Sequence, residues 1–105
     1  MHWTKFERMV EYVAKYAAFG EDADDPILGT TERTIIKKVG EAITEWRDGR
    51  GYCNICGGGP YRPVGLLNHI RRVHGAELED VIEAALATGG KGLENYLKKL
   101  TSRTD

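Results

Sequence analysis

Apolar positions recur at helical spacing through most of the chain. From Thr4, Phe6, Met9, Val10, Val13, Tyr16 and Ala17 fall on one face, the three-to-four spacing of an amphipathic helix. Thr4 and Glu7 fit a capping box at its start, and Gly20 marks its end. An acidic run, Glu21 to Asp25, closed by Pro26, reads as a solvated turn; calcium-loop spacing and its closing glutamate are absent. A second helix is expected from Thr30 or Thr31 to about Arg47, with Ile35, Ile36, Val39, Ala42, Ile43 and Trp46 as its buried stripe. Gly40 lies inside it at a cost of about 1 kcal/mol relative to alanine, which a closely approaching neighbour helix would explain. After His74, Gly75 reads as a helix stop. Leu78, Val81, Ile82, Ala85 and Leu86 then form a further face, Gly89-Gly90 a break, and Leu93, Tyr96, Leu97 and Leu100 a short last helix ending in Lys98, Lys99 and Arg103, which complement its dipole.

This pattern predicts a mainly α fold, a small helical domain with a short β knuckle and helix embedded in it. The expected organisation is a helical hairpin over 1–48, a metal-dependent unit over 49–75 and a C-terminal helical pair over 76–105, packed together. Trp3 and Trp46 are expected as core anchors. Hydrophobic residues make up 41% and charged residues 30% of the 105, a balance that favours one folded domain over a disordered chain. No apolar run reaches the roughly 18 residues of a membrane span. The start of the chain has no apolar signal stretch, so an intracellular protein with reduced thiols is expected.

The chemistry concentrates in the middle. Cys53 and Cys56 are the only cysteines, and His69 and His74 are two of the three histidines. The run Cys53-x2-Cys56-x12-His69-x4-His74 has metal-ligand spacing in every interval. Two cysteines on a tight knuckle place two thiolates on one ion, and Gly57-Gly58-Gly59 lets the backbone turn after them. The histidines, five apart, need a distorted last helical turn to converge. Two thiolates and two neutral imidazoles complete a zinc tetrahedron and leave no position for water or substrate. His2 is expected at an exposed terminus.

Over about residues 52–75 the chain resembles the Cys2His2 zinc-finger family. Leu66, three before His69, matches the family's core leucine. Tyr61 lies five after Cys56, where the family's aromatic usually lies four after and Pro60 stands here. A single finger within a helical protein is also similar to small archaeal or viral regulators. The resemblance implies zinc as cofactor and a recognition helix whose outer positions meet DNA bases. Counted back from His69, those positions are Arg62, Val64, Gly65 and Asn68. Arg62 would pair with guanine and Asn68 with adenine, a sparse set of readers.

Net charge is −1, but its distribution is uneven. Residues 49–75 hold Arg50, Arg62, Arg71 and Arg72 and no acid, whereas acids outnumber bases on both sides. Arg50, Arg71 and Arg72 are therefore expected phosphate contacts. The expected function is a zinc-binding, DNA-binding transcriptional regulator, with a homodimer through helix faces as a possible assembly. The alternative is a zinc-stabilised protein-interaction module. An enzyme is not expected: the histidines are consumed by metal, and Gly57-Gly58-Gly59-Pro60 lacks the Lys-Ser/Thr ending of a phosphate loop. Neither a membrane nor a small-molecule substrate is expected as partner.

Overall fold

The computed structural model describes residues 4–101; His2, Trp3 and Arg103 lie outside them. Five helices and one hairpin follow in the order α1 (Lys5–Phe19), α2 (Thr30–Ala42), β1 (Thr44–Arg47), β2 (Arg50–Cys53), α3 (Pro63–Val73), α4 (Gly75–Ala87) and α5 (Leu93–Thr101). The capping box at α1 is formed: Glu7 N–H donates to Thr4 Oγ1 at 3.1 Å and Thr4 N–H to Glu7 Oε1 at 2.8 Å. Gly20 ends the helix in the left-handed region at φ 73°.

The helix expected to run to Arg47 stops at Ala42. Thr44–Arg47 is instead a strand paired antiparallel with Arg50–Cys53. Asp48 and Gly49, at φ 51° and 78°, make the two-residue turn between them, and left-handed residues at both positions match the right-handed twist of a hairpin. Trp46 accordingly leaves the helix stripe. It is 41% exposed on β1, and its indole Nε1–H donates to Ala17 O at 3.1 Å. Gly75, expected to stop a helix, opens α4; the break falls at His74.

Helix α1 packs against α2, α3 and α4. Met9, Val13, Ile36, Val39, Ile43, Leu66, Ile70, Leu78 and Ile82 are fully buried in one continuous cluster. The cluster draws residues from α1, α2, α3 and α4, whereas Val81, Leu86, Tyr96, Leu97 and Leu100 of α4 and α5 pack against it only partly buried. At Gly40 α1 and α2 approach closely: a Cβ there would stand 2.7 Å from Tyr16 Cδ2. No helix among the described residues is long and apolar enough to cross a membrane.

The acidic loop is more ordered than a solvated turn. Asp25 is buried, accepting from Ile27 N–H at 3.0 Å and Tyr12 Oη–H at 2.9 Å. The Arg33 guanidinium binds three loop carbonyls, those of Ala23, Asp25 and Leu28. The Ile27 amide first, then the Tyr12 hydroxyl, holds the Asp25 carboxyl below the ordinary carboxylate range. A depressed carboxyl pKa contributes stability that is present above the unfolded value and is lost as pH falls through the folded one. Asp25→Asn is therefore expected to lower the urea midpoint at neutral pH and to flatten its decline in acid. Urea titrations of both proteins from pH 7 to pH 3 check this.

Candidate metal centre

The four candidate ligands are placed by the hairpin and its knuckle, by α3 and by the corner after it. Cys53 ends β2, and its sulfur accepts from the backbone N–H groups of Ile55 and Cys56. A tight knuckle makes this possible: Gly57 N–H donates to Cys53 O, and Cys53 N–H to Gly58 O. The knuckle is tied to the end of α2, where Asn54 N–H donates to Ile43 O and Asn54 Nδ2 to Ala42 O. His69 lies on α3, whose Leu66 and Ile70 anchor it in the core. His74 is not within a distorted last turn, as its spacing predicts. It lies just beyond α3, at φ −115°, as the corner between α3 and α4. The helix stays regular, and the corner swings the second imidazole back toward the first.

The ligand atoms of Cys53, Cys56, His69 and His74 all lie within 4.8 Å of one another. Cys56 Sγ is 3.2 Å from His69 Nε2. Donors bound to one zinc-sized ion at roughly 2.0–2.3 Å would stand about 3.3–3.8 Å apart in a tetrahedron, so only a small contraction is needed. His74 supplies the sharpest test of fit. Its side chain is 4% exposed, and Nε2 is buried without a hydrogen-bond partner among the described residues. A buried polar atom left unpaired costs about 1–3 kcal/mol, and a metal bond would remove that cost.

The electrostatics agree. Burial, the largest influence, pushes the Cys53 thiol up from its ordinary value, against the two amide hydrogen bonds; a bound cation would offset that penalty on the thiolate. Burial first, then the neighbouring His74, pushes the His69 pKa down, which keeps its imidazole neutral and its lone pair available. The four side chains form a Cys2His2 arrangement that could hold a metal ion. Compared with known families, curated proteins and solved structures, the chain matches none of them.

Two side chains flank the candidate ligands: Tyr61, whose contact with His69 sequence reasoning did not foresee, and Glu77, which it missed altogether. Tyr61 stacks on His69 with ring centroids 4.8 Å apart, its hydroxyl 3.3 Å from His69 Nδ1. It is brought there by an antiparallel bridge to Gly51, which only the folded hairpin reveals. Glu77 Oε1 lies 2.6 Å from His74 Nδ1; its position three residues after His74 was the readable signal.

The expected DNA-contacting residues do not stand alike. Arg62 immediately precedes α3 and is exposed, as are Val64 and Gly65. The Gly51–Tyr61 bridge sets Arg50 opposite Arg62. Arg72, in the last turn of α3, is also exposed. Arg71 is instead engaged: its guanidinium binds both oxygens of Glu11 on α1, at 3.1 and 3.2 Å, and donates to Asn68 Oδ1 at 2.9 Å. Leu67 is half-buried against the core, whereas Val64 and Val73 of the same helix are exposed.

Proposed function

We propose that the protein is a small zinc-dependent DNA-binding protein, in which a structural zinc ion anchors α3 and presents its outer face to DNA. Two thiolates and two imidazoles are the donor set zinc prefers, and with all four bound no position remains for substrate chemistry. The observation that carries the DNA reading is the outer face of α3, open and without an acid of its own. Arg62 stands just before the first turn of α3 and Arg72 in its last, ten positions or about 15 Å apart, so that Arg72 can reach a phosphate at the edge of a major groove about 12 Å wide while Arg62 faces the bases. Arg50 adds a third cation beside Arg62. Such contacts orient the helix, while Arg62, Val64 and Asn68 are its base readers. Regulation of transcription is the role that this binding would serve.

The ion pair between Glu11 and Arg71 favours a second reading, in which zinc only holds the fold and the partner is a protein. In the free protein Glu11 neutralises one expected phosphate contact, and Asn68 is occupied by the same arginine.

Duplex binding followed by fluorescence anisotropy across a salt series separates the two. DNA binding through this face predicts affinity that falls steeply with salt, by a slope of roughly −0.9 per phosphate neutralised. Arg62→Glu with Arg72→Glu is expected to abolish binding. Glu11→Gln is expected to strengthen it severalfold by freeing Arg71 and Asn68. Salt-insensitive binding, or equal binding by the double arginine variant, would turn the assignment to the protein-interaction module.

A further inference from the structure

The two histidines are held by unlike partners. His69 has a neutral phenol at Nδ1 and a stacked ring, on the half-buried side of the site. His74 has a carboxylate at Nδ1, 2.6 Å away, on the buried side. A neutral imidazole carries one proton, and the hydrogen bond made by one nitrogen decides which of the two bears it. Glu77, an acceptor when ionised, demands that His74 keep its proton on Nδ1. The lone pair is then left on Nε2, the buried atom without a protein partner.

We propose that Glu77 is a positioning residue of the metal centre, fixing His74 as an Nε2 ligand and joining α4 to the metal through the corner between α3 and α4. The proposal rests on the zinc reading above. Glu77 lies in the first turn of α4, so metal capture at His74 and the seating of α4 are one event. A carboxylate behind a ligating imidazole raises the basicity of that ligand and restricts its rotation, and loss of such a partner typically costs 10–100-fold in metal affinity. The Glu77 side chain is 51% exposed, so solvent screening places the expected effect near the lower end, about tenfold. Tyr61, neutral and at longer distance, contributes less.

A purely structural role would give a different pattern. An acid in the first turn also favours the helix dipole, and on that account alone Glu77→Gln and Glu77→Ala would weaken α4 equally and leave the metal site untouched. As a positioning residue, Glu77 can be partly replaced by glutamine, whose amide oxygen still accepts from Nδ1–H.

The test uses the whole chain loaded with zinc. Competition with a chromophoric chelator measures affinity, and long-range proton–nitrogen correlation NMR on labelled histidine reads which nitrogen is bound. The expected results are an Nδ1-protonated, Nε2-bound His74 in the wild type and in Glu77→Gln, with affinity lowered about threefold in Glu77→Gln and about tenfold in Glu77→Ala. Affinities of both variants within twofold of wild type would overturn the proposal, as would Nδ1 coordination of His74 in the wild type. If Glu77→Ala does not fold, the glutamine variant and the wild-type tautomer still decide it. A wild type that takes up no zinc would refute the zinc reading itself, a result distinct from these.

Discussion

Cys53→Ser is expected to eliminate tight zinc binding and to lower the melting temperature of the whole domain by about 10 °C or more. Cys53 is 1% exposed, and two backbone amides are directed at its sulfur. A serine hydroxyl there is a poor zinc donor and leaves the remaining ligands incomplete. Structural zinc contributes roughly 10–16 kcal/mol in isolated finger peptides, comparable with the roughly 5–15 kcal/mol that holds an ordinary domain together. Metal binding and folding are coupled locally over residues 50–75. The packing extends that coupling, because Leu66 and Ile70 of α3 belong to the same cluster as Met9, Val13 and Ile36. Loss of the metal should therefore loosen the shared core, in a single transition. Circular dichroism melts of the wild type with zinc, the wild type with chelator and Cys53→Ser check this. Equal melting temperatures in all three would show that the metal is dispensable to the core.

Leu66→Ala is expected to destabilise the zinc-loaded protein by about 3–4 kcal/mol while keeping all four ligands. Leu66 is fully buried where three pieces meet. A Cβ on Gly51 of β2 would lie 2.7 Å from Leu66 Cδ2 and about as close to the Trp46 ring, at 3.1 Å. Hairpin and helix are thus in contact with no spare space, and the cavity left by truncation cannot be filled by a neighbouring side chain without moving the strand. The converse substitution, Gly51→Ala, would overpack the same point. Urea denaturation with saturating zinc measures the loss; a change below about 1 kcal/mol would mean that α3 is held by the metal alone and not by the core.

The clustering of Cys53, Cys56, His69 and His74 was legible from the sequence because coordination chemistry restricts both residue type and spacing. The helices were legible because their apolar stripes face one core. The hairpin was missed for a local reason. Ile43 and Trp46 continue the stripe of α2 at helical spacing, and Asp48-Gly49 reads equally well as a helix stop or as a hairpin turn. The turn prevails because a strand lets Tyr52 and Cys53 run back beside Thr44 and Glu45, delivering the first ligand to the end of α2. The corner at His74 was hidden similarly: a five-residue histidine spacing fits a distorted helix as well as a helix followed by a bend. The pairing of Arg71 with Glu11, sixty positions apart, depends on how α3 lies across α1. No local pattern carries that.

In the proposed metal centre Cys53, Cys56, His69 and His74 together enclose one zinc ion. X-ray absorption at the zinc edge, on protein purified under reducing conditions, tests it most directly. The predicted result is one zinc per chain with two sulfur donors at about 2.3 Å and two nitrogen donors at about 2.0 Å. An oxygen- and nitrogen-only shell, or a single sulfur, would contradict it.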